Sequence, residues 1–276
     1  MTTTFINSSN DSVLLGTAGW GAKVSKNIAH EILKNYYANG YRWIDTATNY
    51  PLDGNPENFG RTMEWLRDFQ QDFPEMKVFI KVGAATNLGG PTQLVNVSYL
   101  TIIFEILQDK FGGSLGGLGI HWDTGTDAAD RSAIVDFFAH VYEEGHVVGL
   151  SGIAKPERYS ENPIAKVLPW LYQLNLAPMR TNQLDTDLDL IRDNFPNAKI
   201  FGYNLLGGVS RKGFQEGENR FTALSRSLGL EQSSTKMEVF KRIVAKSSSL
   251  GIQGTLIGPT TPEQCAEWCE LLERSQ

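Results

Sequence analysis

Short apolar runs rich in valine, isoleucine and leucine recur along the chain. Each is followed by a longer stretch in which apolar residues return every three or four positions. The runs VLLGT (13–17), YRWID (41–45), KVFIKV (77–82), GLGIHW (117–122), VVGLSG (147–152), TNQLD (181–185), AKIFGY (198–203) and GTLIG (254–258) read as strands. The stretches 25–40, 55–73, 96–111, 130–145, 157–174, 186–195, 235–251 and 261–274 read as helices. Punctuation supports several boundaries. Gly40 and Gly145 follow helices as caps, and Thr261-Pro262 places a capping hydroxyl ahead of a proline at the first helical position.

Alternation of this kind predicts an α/β protein, and eight strands alternating with eight helices fit a closed (β/α)8 TIM barrel better than an open sheet. The whole chain, 1–276, reads as one domain with no repeat or linker. The opening TFINSSNDSVLLG has turn residues between two extended pieces and predicts an N-terminal hairpin capping the barrel floor. The connection 206–234 is too long for a simple link, which in a compact domain points to a functional loop.

Composition narrows the function classes. Hydrophobic residues make up 41% and charged residues 20%, as in an ordinary globular protein. A net charge of −6 argues against a nucleic-acid partner, which needs clustered cations. No apolar run is long enough to span a membrane, and the N-terminus lacks the basic and apolar regions of a signal peptide, so a cytoplasmic location is expected. The two cysteines, Cys265 and Cys269, lie on one helix face and read as buried hydrophobes, with no metal set around them. A monomer or small homo-oligomer acting on a small molecule is the expectation.

In a barrel, chemistry gathers at the C-terminal strand ends. Strand two ends at Asp45 with Tyr50 just beyond; strand three carries Lys81 in an apolar run; strand four ends with His121. A free tyrosine titrates near 10, and a nearby ammonium favours the phenolate, so Lys81 is expected to lower the Tyr50 pKa. Asp45 would keep Lys81 charged, and His121 could donate a hydrogen bond to the same carbonyl. Singly these residues have duller readings: a turn aspartate, a snorkelling lysine, a structural histidine, a packing tyrosine. Four such types at consecutive strand ends make a tuned general acid.

These residues, in GYRWIDTATNY, VFIKV and IHWD, make the chain resemble the aldo-keto reductase family, and VVGLSG, GYNLLGG and LIGPTTPEQ extend the likeness over about 14–272. The resemblance implies an oxidoreductase that passes hydride between a nicotinamide, NADPH or NADH, and a carbonyl or alcohol, with Tyr50 as proton donor. It implies that Ser151 and Gln183 hydrogen-bond the carboxamide, that Tyr203 stacks on the ring, and that Thr17 and Asp45 lie near the ribose. Asn204, Leu205, Gly207 and Gly208 would open the loop over the pyrophosphate, with Thr260 and Gln264 at the adenosine end. Trp20, Tyr50, His121 and Trp122 would face substrate, with Lys23, residues 86–90 and 122–127, and Arg220 as further lining.

Two departures bear on this. Where the family offers a cation and then an arginine to a 2′-phosphate, this chain has Gly258, Pro259 and Gln264. Gly152 stands where an asparagine usually follows the serine. The glycines of FGGSLGGLG form a loop-to-strand junction and no phosphate cradle. The alternative reading is a non-redox acid/base enzyme, a dehydratase, cyclase or isomerase, with eroded cofactor binding; a third is a binding subunit on the same barrel.

Overall fold

The computed structural model describes residues 9–88, 93–126, 130–176, 181–204, 222, 225–226, 228–231 and 236–273. Eight parallel strands close into a barrel in chain order: β1 (Val13–Gly16), β2 (Trp43–Ala47), β3 (Lys77–Val82), β4 (Leu115–Asp123), β5 (Val147–Ile153), β6 (Leu171–Asn175), β7 (Lys199–Tyr203) and β8 (Gly254–Ile257). The helices are α1 (Lys26–Ala38), α2 (Arg61–Phe69), α3 (Val97–Phe111), α4 (Arg131–Glu143), the single turns α5 (Glu157–Ser160) and α6 (Ile164–Val167), α7 (Thr181–Asn194), α8 (Lys236–Ser249) and α9 (Pro262–Glu273). The fold class is the expected (β/α)8 barrel.

Side-chain caps start several helices. Asn96 accepts from the Tyr99 N–H, Asp130 from Ala133 and Thr261 Oγ1 from Gln264, which satisfies donors that the first turn leaves open. Gly40 and Gly145 follow α1 and α4 with φ of 83° and 93°, a conformation that costs glycine little.

The sixth strand is not where the sequence analysis put it. The stretch 157–174 breaks at Pro163 and Pro169, giving two one-turn helices and then β6. TNQLD, read as a strand, instead opens α7. Leu184, Leu188 and Ile191 are all buried, and their spacing is helical. The first arm of the expected hairpin at the barrel floor falls on residues 4–8, outside the described residues; of the rest, Ser9–Ser12 is a 3-10 turn packed against β1 and β8, and Val13–Gly16 is β1 itself. Most of the long connection 206–234 also lies outside them, including Arg211, Lys212 and Arg220.

The interior is layered by the two-residue period of the strands. Leu14, Phe79, Val147, Leu171 and Phe201 pack together deep in the bore, with Trp43 and Leu256 against them. The Phe79 ring fills the space beside two strands: a Cβ at Gly119 or Gly149 would lie 2.6 or 2.5 Å from its Cζ. Of the glycines read as a junction, Gly112 and Gly113 form a 3-10 turn, and Gly116, Gly117 and Gly119 lie within β4, where larger residues would collide with their neighbours. Two positions further along β3, β5 and β6 the inward residue becomes polar: Lys81 after Phe79, Ser151 after Gly149 and Gln173 after Leu171. The same strands therefore carry the core below and the polar cluster above.

Candidate active site

Asp45, Lys81 and Gln173 meet in the bore just above the apolar layer. All three are at most 3% exposed. Lys81 Nζ donates to Asp45 Oδ1 and, at 3.2 Å, to Gln173 Oε1; the Gln173 amide in turn donates to Asp45 Oδ2. Every strong group is paired, as a buried ion pair requires. Burial alone would push the lysine down, but Asp45 and then Tyr50 overcome it and raise its pKa above the ordinary value, so Lys81 stays charged.

Tyr50 lies over this pair, with Lys81 Nζ 5.2 Å from the centre of its ring. Its pKa is raised, contrary to the sequence expectation. Burial is the largest influence and raises it; the Lys81 ammonium lowers it but falls short. The ordinary phenol value is already near 10, so Tyr50 keeps its proton at neutral pH.

His121 stands edge-on to Tyr50, ring centres 5.6 Å apart, and stacks on Trp122 at 3.9 Å. Burial, then Lys81, hold its pKa well below the ordinary histidine value, so the imidazole is neutral. Its Nδ1 is 3.1 Å from Asn49 Oδ1. Trp122 itself has φ 63°, rare for a bulky residue and strained by about 1–3 kcal/mol. The next residue explains how the strand end holds it. Asp123 accepts from Arg131 at 2.6 and 3.0 Å, from Tyr159 at 2.6 Å, from Gln93 at 3.0 Å and from the Gly125 N–H at 2.7 Å. Burial raises the Asp123 pKa, but these donors outweigh it and hold the carboxyl below the usual range. Asp123 thus anchors the strand end from behind; of the expected lining stretch 122–127, Trp122 faces the cavity and Asp123 does not.

A cavity of about 920 Å³ runs from this cluster to the start of α9. Its inner end is walled by Asp45, Tyr50, Lys81, His121, Trp122, Ser151 and Gln173. Thr17, Trp20 and Lys23 form one side, and Tyr203 and Asn204 another. The outer end is made by Gly258, Pro259, Thr260, Gln264, Glu267 and Trp268. Thr17 donates from both N–H and Oγ1 to the Asp45 carbonyl, tying β1 to β2. Trp20 is 1% exposed and packs edge-on against Phe69, so it is largely a core residue with an edge at the cavity. Gln264 Oε1 accepts from Thr260 N–H and Oγ1, closing a box over the helix start.

The sequence-predicted catalytic residues and most of the expected cofactor contacts therefore gather in one place. Leu205 and Gly207, like Gly208, lie outside the described residues. Gln183 lies in the first turn of α7, beyond the strand end expected to present it; the inward glutamine of strand six is Gln173. LYQLN reads as the end of a helix because it carries no apolar–polar alternation, all of Leu171 to Leu174 being buried; Pro169 ahead of it is the one local sign of a break. Asn49, beside His121, carries no sequence signal that singles it out.

Eight parallel strands closed around an apolar bore, with a buried charged cluster and a deep cavity at their C-terminal ends, define an enzyme-type (β/α)8 barrel. The pattern of the aldo/keto reductase family matches residues 12–256, and the chain belongs to that family of oxidoreductases. Two solved structures share the fold. "Crystal structure of the PA4992, the putative aldo-keto reductase from Pseudomona aeruginosa" is 14% identical with a TM-score of 0.61. "Putative aldo-keto reductase from Pseudomona aeruginosa" is 13% identical with a TM-score of 0.60. Each comparison covers 96% of this chain and 90% of the other. No curated protein matches the sequence.

Proposed function

We propose that the protein interconverts the carbonyl and alcohol of a small molecule with a nicotinamide cofactor, NADH or NADPH, using Tyr50 as the proton donor to the carbonyl oxygen. The observation that carries this reading is the buried Tyr50–Lys81–Asp45 group at one end of a cavity whose other end is the start of α9. A cavity of about 920 Å³ lies at the upper end of the range for small-molecule and cofactor sites.

The residues fit such a cofactor. Ser151 and Gln173 line the cavity beside the catalytic group with groups able to bond an amide, and Tyr203 lines another side. The N-terminal end of α9, where the helix dipole is positive, suits the distal, anionic part. When bound, a reduced nicotinamide supplies hydride to the carbonyl carbon. The chain's own task is the proton. Tyr50 holds it through neutral pH, and as the substrate oxygen gathers negative charge the O–H donates. Lys81 then stabilises the phenolate left behind, a contribution that exists only as the reaction proceeds. Asp45 keeps Lys81 charged, and Gln173 satisfies both.

Residence in the cytoplasm, a single domain, and a monomer or small homo-oligomer belong to the same proposal, supported by free, buried thiols at Cys265 and Cys269 and the acidic composition. No described helix is long and apolar enough to cross a membrane. The non-redox alternative is not favoured, given the family and the retention of Ser151, Gln173 and Tyr203 at the mouth. The test is a panel of aldehydes and ketones with each reduced nicotinamide. Cofactor oxidation dependent on a carbonyl is expected; binding of neither nicotinamide rejects the reading.

A further inference from the structure

Along β4 the inward positions are Gly117, Gly119 and His121; the two glycines abut the Phe79 ring and the histidine lines the cavity. Leu118 and Ile120, between them, lie in the core shared with Phe104 and Val135 of the helices. Continued by one more step, the two-residue period would send Trp122 outward and Asp123 inward. The structure has them the other way round. The Trp122 indole stacks on His121 with ring centres 3.9 Å apart and walls the cavity. Asp123 turns back to Arg131 of α4 and Tyr159 and does not line it. The exchange of faces happens at Trp122, whose φ of 63° is left-handed. A bulky residue keeps that conformation only where its surroundings over-determine it.

Asp123 supplies those surroundings. Its carboxylate gathers donors from separate segments: Gln93 ahead of α3, the Gly125 N–H, Arg131 and Tyr159. Its carbonyl accepts from the Ala154 N–H at 2.8 Å, beyond β5. Gln93 closes a ring by accepting from the Thr124 N–H at 2.8 Å. We propose that Asp123 is a positioning residue that holds Trp122 turned inward as a wall of the substrate pocket, and that Gln93 and Tyr159 act through it. The substrate part of the inference rests on the carbonyl-reductase reading above; the hold on Trp122 rests on packing alone. With Asp123 released, residue 122 returns to the extended form and the strand period carries its indole toward the helix layer. The pocket then loses a wall, while Asp45 and Lys81 stay bonded to each other and to Gln173. Asp123 therefore governs substrate affinity and leaves the proton step alone.

Gln93→Leu and Tyr159→Phe test it, since each takes one donor from Asp123 and keeps its pair with Arg131; neither residue lines the cavity. Asp123→Asn is the blunter change, because it leaves Arg131 buried without its partner charge. The protein has six tryptophans. In proton–nitrogen spectra the Trp122 indole signal, assigned by its loss in Trp122→Phe, should move in both mild variants while the other indole signals hold. With benzaldehyde, or propanal if that is the better substrate, KM should rise on the order of fivefold to tenfold and kcat stay within about twofold, the pattern of lost binding. Made in Trp122→Ala, the same two changes should leave KM where Trp122→Ala alone puts it. An unmoved Trp122 signal overturns the proposal. So does a KM rise of equal size in the Trp122→Ala background, which would assign the effect to the loops and not to the indole. A fall in kcat with KM unchanged overturns it too. If no carbonyl is turned over with either nicotinamide, the reductase reading fails and the pocket wall with it, while the Trp122 signal still decides whether Asp123 holds the indole.

Discussion

Gly152 and the indole of Trp122 share one space: a Cβ at residue 152 would stand 2.5 Å from Trp122 Cδ1. The glycine also has φ 69°. Its place after Ser151, where an asparagine is expected from the family resemblance, therefore accommodates the tryptophan that stacks on His121. Gly152→Asn should cost about 1–3 kcal/mol by overpacking and disturb the His121 ring. Adding Trp122→Ala should recover most of that stability. Urea midpoints for the single and double variants check this; additive losses would separate the two residues.

Tyr50→Phe should abolish carbonyl turnover and leave nicotinamide affinity within about twofold, since only the hydroxyl is removed. Because burial raises the Tyr50 pKa above its ordinary value near 10, deprotonation of this donor should not limit kcat/KM below about pH 10. Undiminished turnover by the phenylalanine variant would remove Tyr50 from the mechanism.

Lys81→Met leaves Asp45 buried without its cation. A loss of about 3–5 kcal/mol in stability is expected, together with loss of activity. Lys81→Met combined with Asp45→Asn should be less destabilised than the sum of the two single changes. A double-mutant cycle in urea measures the difference, and strict additivity would contradict the pairing.

The outer end of the cavity bears on cofactor choice. Among its described lining residues there, Glu267 is acidic, Gln264 Oε1 is engaged by Thr260, and none is Lys or Arg. NADH should bind at least as tightly as NADPH, and Gln264→Arg should tighten NADPH about fivefold to tenfold relative to NADH. Quenching of tryptophan fluorescence reports both, as Trp20, Trp122 and Trp268 line the cavity. A strong NADPH preference in the unsubstituted protein would contradict this.

Stability should fall in mild acid. The folded His121 pKa lies well below its ordinary value near 6.5, so below about pH 6.5 the unfolded chain binds a proton that the folded chain refuses. The contribution is complete above that pH and declines as pH drops toward the folded pKa, by up to about 1.4 kcal/mol per unit. His146, also depressed by burial, adds a component of the same sign. Urea midpoints at pH 8 and 5.5 should differ more for the unsubstituted protein than for His121→Gln; equal differences would contradict the depressed value.

The sequence made the barrel legible because most strands are apolar runs bounded by turns, and KVFIKV matches β3 residue for residue. Asp45, Tyr50, Lys81 and His121 could be grouped because barrel geometry sends consecutive strand ends to one mouth. Strand six is hard to read because LYQLN directly follows two short helical turns and lacks an apolar–polar alternation of its own. The net direction of the Tyr50 shift escaped for a different reason: an ammonium neighbour can be guessed from order along the chain, but the extent of burial depends on all eight strands at once. The tie between Asn49 and His121 is likewise a matter of packing, spanning 72 positions.

The contact between Asp45 and Gln173 joins β2 to β6, which stand on opposite sides of the ring of strands. It acts as a crossbar over the bore, and it comes from the two halves of the chain. A fragment ending after β4 would keep the Asp45–Lys81 charges and lose the amide that completes their bonding, while the remaining half would carry a glutamine with nothing to grip. The catalytic floor is thus also a seam, and each half-barrel is completed only by the other.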